Sequence, residues 1–261
     1  MSDADAIVYL NGAFVPIRDA KISVLDRGFI FGDGVYEVIP AYGREPFRRP
    51  HHLARLAHSC DGIGLANPHA DAEWERLVRE LIARQPFDDQ AVYLQVTRGV
   101  AKRDHAFPKG AAPTVFMMSN PLPSPTREQV ERGVAAITAE DNRWQRCDLK
   151  TTSLLGNVLM RQLAAEAGAI ETVMFRDGLL TEASASNVLV VSGGTIVAPP
   201  KDHLILPGIT YDAAIEFARE AGLPVEIRPI TRAEALAADE MWLSSSTKEV
   251  VAITTLDGKP F

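Results

Sequence analysis

Cysteine is almost absent from this chain: Cys60 and Cys147 are the only two in 261 residues. Two thiols cannot build a disulfide framework, and both lie in mostly apolar segments, so they read as reduced. No Lys/Arg-rich run occurs either. The 27 basic residues are scattered among 34 acidic ones, the net charge is −7, and a nucleic-acid backbone is not the expected partner. Long apolar runs are missing as well. No segment approaches the ~20 apolar residues of a spanning helix, and the acidic start MSDADAIVYLNG has no basic n-region. The expectation is a soluble, unexported, cytoplasmic protein without a membrane partner. His51, His52 and His58 lack the i, i+4 spacing that puts two ligands on one helix face, so no metal is expected.

What is present suffices for a large core, since 46% of the residues are hydrophobic. Two domains are the preferred division: residues 1–118 as a small α/β unit, a stiff proline-rich linker over 119–126, and a larger unit over 127–261. In the first part, Asn11-Gly12 between Ile7–Leu10 and Ala13–Pro16 is a hairpin signal. The stretch Arg27–Ile39, with three glycines among aromatic and β-branched residues, reads as a bent core strand. Apolar spacing predicts helices through Leu53–Ile63 and Trp74–Ile82, and strands over 91–97 and 113–118. Between those strands runs RGVAKRDHAFPKG, residues 98–110, a polar connection of functional length in which Arg103 and His105 are two cationic donors two residues apart.

The second part is organised around DNRWQRCDLKTTSLLG, residues 141–156. Asp148-Leu149-Lys150 ends an extended segment and Ser153-Leu154-Leu155 opens a helix, which puts Lys150 at a junction. Its neighbours are Thr151, Thr152, Leu154 and Leu155, with no carboxylate at helical spacing. Two readings stay open on this segment alone. One is a lysine that forms a Schiff base with pyridoxal phosphate; the other, favoured by the segment taken by itself, is a lysine whose stem packs while its ammonium reaches water. Further on come a strand over 133–139, a helix over 153–167 ended by Gly168, and a hairpin over 171–191 turning at Arg176-Asp177-Gly178. Its second arm, LLTEASASNVLVV, interrupts an apolar run with small hydroxyls and one carboxylate, Glu182, which suggests a polar site against a sheet. Thr210 reads as the N-cap of the next helix, whose exposed amides suit an anion. Thr231 to Glu234 reads as a capping box, and Ser244 to Thr247 puts four hydroxyls at a strand end.

Taken together and in order, RGFIFGDGVYEV, VTRGVAKRDHAFP, RCDLKTTSLLGN, TEASASN, LPGIT and SSSTKE resemble the fold-type IV pyridoxal-phosphate aminotransferases, the D-amino-acid transaminases among them. The match spans nearly the whole chain, and it moves Lys150 to the Schiff-base reading. The resemblance implies a mixed α/β (α+β) fold with a small N-terminal domain and a larger one on a barrel-like sheet. It implies pyridoxal 5′-phosphate held by Lys150, by Glu182 at the ring nitrogen, and by Arg55, Leu206, Ile209, Thr210 and Ser246. It further implies that Tyr36, Arg103 and His105 hold the substrate α-carboxylate, the Arg-x-His loop coming from the neighbouring subunit of a homodimer. The implied reaction is transamination from D-alanine, D-glutamate or D-aspartate to a 2-oxo acid. Branched-chain L-amino-acid aminotransferase and aminodeoxychorismate lyase are the alternatives within the fold type. Three departures stand out. Ala185 lies in a stretch often richer in serine, Lys248 replaces a small hydroxyl residue, and family members usually run on past Phe261 to a terminal helix.

Overall fold

The structure, a computed structural model, describes residues 6–261; the acidic start MSDAD lies outside the described residues. Two compact units form, one of the residues up to Pro123 together with Leu149–Leu154, the other of Ser124–Asp148 and Leu155–Phe261.

In the first unit the Asn-Gly pair turns the chain between β1 (Ile7–Leu10) and β2 (Ala13–Pro16), both turn residues at positive φ as this tight hairpin requires. A short helix, α1 (Arg27–Phe31), stands where the sequence suggested a bent strand. The reason is a cap: the buried Asp26 carboxylate accepts from the Gly28 amide at 2.8 Å, and Gly32 closes the turn at φ 66°. Then follow β3 (Gly34–Tyr42), β4 (Glu45–Pro46), α2 (Arg49–Gly62), α3 (Asp71–Ala83), β5 (Gln90–Thr97) and β6 (Thr114–Pro121). The sheet order is β2-β1-β6-β5-β3-β4. Leu53 and Leu56 of α2 and Trp74, Leu77 and Leu81 of α3 close over Val35, Ile39, Val92, Leu94 and Met117 of the sheet. Truncating one of these large side chains to alanine costs about 2–5 kcal/mol.

Residues 149–154 pack in this first unit, not with the second half of the chain. Thr151 bridges Val35, the Tyr36 amide donates to the Lys150 carbonyl at 2.9 Å, and the Lys150 amide donates to Ser59 Oγ at 3.0 Å. The residues leading to Lys150 are irregular instead of extended, because their amides go to single partners, such as His203 O for Cys147, and not to a ladder. β6 also runs through Pro121, into the expected linker.

The second unit opens at Thr126, whose capping box with Gln129 starts α4 (Arg127–Arg132). After β7 (Val134–Glu140) and α5 (Leu155–Glu166) come β8 (Glu171–Arg176) and β9 (Leu179–Ala183), a hairpin with Asp177 and Gly178 at positive φ. The expected second arm divides: a turn at Ser184–Ser186 separates β9 from β10 (Asn187–Ser192), which pairs elsewhere. β11 (Thr195–Ala198), α6 (Ile209–Glu220), β12 (Val225–Ile227), α7 (Arg232–Leu236), β13 (Glu240–Ser245), β14 (Glu249–Leu256) and β15 (Lys259–Pro260) complete it. The order is β12-β11-β10-β13-β14-β7-β8-β9, with β15 on β14. β9 ends that path and β10 lies third from its other end, yet three residues join them and the Ala183 amide donates to Ser186 O at 2.7 Å. The sheet must therefore curl back on itself, barrel-like.

Both faces of β10 are buried. Val188 and Val190 enter one core, while Leu189 and Val191 pack beneath Tyr211, Ile215 and Ala218 of α6. The N-cap of α6 is Gly208, and Thr210 lies inside the helix, contrary to the sequence expectation. A Cβ at Gly208 would collide with Asn187 Oδ1, so only glycine lets the helix start approach β10 so closely.

Candidate active site

Two groups of polar side chains, one in each unit, stand out from otherwise apolar surroundings. In the first unit Lys150 Nζ lies 4.2 Å from the centroid of the Tyr36 ring, and Tyr36 stacks on Tyr93. Among the described residues no carboxylate pairs with this ammonium. One turn of α2 away in sequence from His52 is Arg55, and both converge on Glu37 of β3. Arg55 donates through Nε at 2.7 Å and Nη2 at 2.8 Å, and His52 Nδ1 lies 2.8 Å from Oε2. Burial pushes the Glu37 carboxyl up, but Arg55 and His52 outweigh it and hold it well below the usual range. His52 is lowered by its own burial, and its Nε2 is buried without a partner.

The 98–110 connection is fixed from beneath. Arg27 and Arg98 both bind Asp33, at 2.7 and 2.8 Å, Arg27 reaches the Asp104 carbonyl, and Arg98 also donates to the Ile63 and Gly64 carbonyls. Burial opposes ionisation of Asp33, yet the two guanidiniums keep its pKa low. Arg103 and His105 are exposed and flank Phe31, 5.3 and 5.4 Å from its ring centroid. Tyr36 has Tyr93 and Lys150 as ring neighbours.

In the second unit Glu182 is buried near the end of β9 and accepts three hydrogen bonds. Arg143 Nη1 binds Oε1 at 2.6 Å, and Asn187 Nδ2 and the Leu206 amide bind Oε2 at 3.1 and 3.0 Å. Burial raises the Glu182 pKa, and Arg143 pulls against that rise without cancelling it. Leu206 thus takes part through its backbone, since its carbonyl also accepts from Asn187 Nδ2. Ile209 and Thr210 open α6, whose N-terminus carries no side-chain cap. Ser246 lies in the turn after β13, two residues beyond Ser244, whose Oγ is buried without a partner. Lys248 does not point into empty space: its Nζ binds the buried Glu171 at 2.9 Å, the same carboxylate that Ser184 and Ser186 bind.

Residues 34–256 match the family profile of amino-transferase class IV. The chain belongs to the class IV aminotransferases. It is 41% identical over 252 residues to a D-alanine aminotransferase of Bacillus licheniformis, covering 97% of this chain and 89% of that one. To a D-alanine aminotransferase of Staphylococcus aureus (strain N315) it is 37% identical over 254 residues, covering 97% and 90%. Among solved structures, the Escherichia coli branched-chain amino acid aminotransferase superposes with a TM-score of 0.92 at 25% identity, covering 98% of this chain and 88% of that one. A hypothetical aminotransferase from Mycobacterium tuberculosis in a PLP-bound form gives 0.85 at 26%, covering 98% and 92%. The two kinds of likeness carry different donors in their names. A backbone shared at about a quarter identity reports the fold.

This class IV aminotransferase contains polar groups that the sequence alone did not single out. Arg143 and Asp141 sit in the very stretch that drew attention to Lys150, and Asn187 in the TEASASN segment, without a role assigned to any of them. Glu37 had a signal. It shares the β3 face of Val35 and Ile39, both fully buried, so strand periodicity turns a carboxylate inward and demands a partner for it. No helix of the described residues is long and apolar enough to cross a membrane.

Proposed function

We propose that this aminotransferase is a pyridoxal-phosphate-dependent D-amino-acid transaminase, taking the amino group of D-alanine, D-glutamate or D-aspartate to 2-oxoglutarate or pyruvate. The observation that carries the donor is the 37–41% identity to D-alanine aminotransferases over 97% of the chain. Three features of the structure fit the cofactor. Lys150 has no competing carboxylate, Glu182 is a buried carboxylate in a frame of donors, and the start of α6 leaves its first amides without a side-chain cap.

The phosphate would be held by Arg55, the Ile209 and Thr210 amides and Ser246, with the Leu206 backbone alongside, and the ring nitrogen by Glu182. Bound in this way, the cofactor supplies an electron sink that acidifies the substrate Cα–H. Lys150 Nζ is then the chain's own base at substrate Cα and returns the proton there in the reverse half-reaction. Glu182 serves by its charge, and Glu37 and His52 serve by fixing the edge of Arg55.

Handedness follows from where the α-carboxylate is held. Arg103 offers a fork of donors, His105 a ring N–H and Tyr36 a hydroxyl. A D-amino acid whose carboxylate lies on these donors turns its Cα–H to Lys150. An L-enantiomer with its hydrogen so placed exchanges carboxylate and side chain, leaving a charge unpaired, at a cost of several kcal/mol. The working unit is a homodimer in which residues 98–110 of one copy serve the site of the other. Exposed apolar side chains along α5, Leu155 at 72%, Val158 at 58% and Leu159 at 56%, support a second copy of the chain as their cover. The two buried free thiols suit a reducing cytoplasm.

The test is kcat/KM for matched donors with 2-oxoglutarate. D-alanine is expected to exceed L-alanine and L-leucine by roughly a hundredfold or more. Turnover of L-leucine with D-alanine inert would hand the chain to the branched-chain reading.

A further inference from the structure

Behind Glu182 the second unit holds a buried file of alternating charges. Arg143 reaches Glu182 with Nη1 at 2.6 Å, and turns its Nε and Nη2 to the two oxygens of Asp141 at 3.0 and 2.9 Å. Asp141 in turn accepts from the Arg143 amide at 3.1 Å and from Thr181 Oγ1 at 3.0 Å, and pairs with Arg176 at 3.0 Å. Arg143 and Asp141 are both buried. Room for the arginine is made by Gly156, where a Cβ would stand 3.0 Å from Arg143 Cγ. The guanidinium is thus gripped on one edge by Asp141 and offers a single N–H to the Glu182 carboxylate.

We infer that Arg143 is a positioning residue that keeps Glu182 ionised and aimed, and that Asp141, held by Arg176 and Thr181, fixes the guanidinium for that task. The inference rests on the reading of Glu182 as the partner of the ring nitrogen. A carboxylate can hold a proton on a ring nitrogen only while it is itself an anion, and the surroundings of Glu182 work against the anion. The Asn187 amide and the Leu206 amide are neutral donors. The charged and titratable groups facing Glu182 within this unit are Arg143, Asp141 and Cys147, with Arg176 acting behind Asp141. Asp141 repels the anion, and the Cys147 thiol, pushed up to about 11 by its own burial, stays neutral at physiological pH. Among the described residues of this unit, Arg143 is the one cation in direct contact. Without it, a carboxyl in this pocket has every reason to keep its proton.

The experiment uses the full-length protein, cofactor-free and loaded, as parent, Arg143→Met, Arg143→Lys and the double variant Arg143→Met/Glu182→Gln. Infrared spectra of the cofactor-free proteins at neutral pH report whether a buried carboxyl is protonated. A protonated-carboxyl band is expected in Arg143→Met, absent from the parent and absent again from the double variant. In the loaded protein kcat should fall roughly a hundredfold in Arg143→Met, with donor KM moving far less, and Arg143→Lys should recover about tenfold of the loss by restoring the charge. No such band in Arg143→Met, or an unchanged kcat per bound cofactor, would overturn the inference. Should Arg143→Met not fold, Arg143→Lys and Asp141→Asn decide: pH profiles of kcat shifted from the parent support it, and profiles identical to the parent's in both overturn it. Failure of the underlying reading looks different, because Glu182→Gln alone would then leave turnover per bound cofactor unchanged while the infrared result still stands.

Discussion

Each unit of the molecule buries one glutamate against an arginine, and the two carboxylates are treated differently. Glu37 meets Arg55 edge-on, two parallel hydrogen bonds at 2.7 and 2.8 Å, with His52 as a third partner. Glu182 meets Arg143 through one N–H, and its other oxygen has only neutral amide donors. The pKa of the first is held down against burial, and that of the second is pushed up by burial against its arginine. A bidentate pair fixes both charge and geometry, which suits a residue that supports another. A carboxylate pushed toward its neutral form by burial, with its charge dependent on one contact, suits a residue whose proton affinity has to match a ligand.

The largest expected effect lies outside both pairs, at the ammonium that neither glutamate neutralises. Lys150→Ala should remove turnover by roughly four orders of magnitude, the upper end for loss of a positioned acid/base, and abolish the near-visible absorbance on adding pyridoxal phosphate. The melting temperature should barely change. A variant that still gains the absorbance at parental level would sink the assignment of Lys150.

Next in size are the exposed donors. Arg103→Ala and His105→Ala should each lower kcat/KM for D donors by roughly a hundredfold, the cost of an unpaired charged group. If residues 98–110 serve the other copy, mixing Arg103→Ala with Lys150→Ala protein should regain activity, because a mixed dimer then has one intact site. Absence of any gain after exchange of subunits is verified would place the loop in its own chain's service.

A smaller effect separates the two glutamates by pH. The folded pKa of Glu37 lies below its unfolded value, so the stability it contributes is whole above roughly pH 4.3 and is lost as pH falls toward the folded pKa. Glu182 has the opposite sign: its contribution is whole below roughly pH 4.3 and is lost as pH rises through a folded pKa above that value. Melting temperatures from acid to neutral pH should therefore show the deficit of Glu37→Gln against the parent growing as pH rises. The deficit of Glu182→Gln should shrink over the same range. Parallel trends for the two variants would contradict the contrast.

Much of this was legible in the sequence and some was not. Apolar periodicity gave α2 and α3, and turn residues gave the β1–β2 hairpin and the β8–β9 turn, since each is decided by local chemistry. Helix α1 was hidden because its cap, Asp26, lies just ahead of residues with strong strand propensity, and Thr97 and Thr114 from distant strands help to fix that carboxylate. Thr210 gave way to Gly208 as a cap for a tertiary reason too, the crowding by Asn187. Lys150, flanked by Thr151, Thr152, Leu154 and Leu155, stood out only once the ordered motifs were taken together, whereas Glu182 was conspicuous as the one charge among the apolar and small hydroxyl residues of its arm. Arg143 was not, because its partners Asp141 and Glu182 are 2 and 39 residues away and no local pattern joins them. The inward face of Glu37 follows from strand periodicity, since it lies two residues from each of the buried Val35 and Ile39.

The most direct test of the contrast compares Glu37→Gln with Glu182→Gln in one preparation, measuring unfolding free energy, pyridoxal-phosphate affinity, and turnover per bound cofactor. Glu37→Gln should lose about 3–5 kcal/mol of stability, as expected for a buried pair with one partner removed, and should weaken cofactor binding through a loosened Arg55. Its turnover per bound cofactor should stay near the parental value. Glu182→Gln should keep most of its stability, since Asp141 still holds Arg143, and lose roughly a hundredfold in turnover per bound cofactor. The reverse pattern, with Glu182→Gln unstable but fully active once loaded and Glu37→Gln stable but slow, would contradict the division of labour between the two carboxylates.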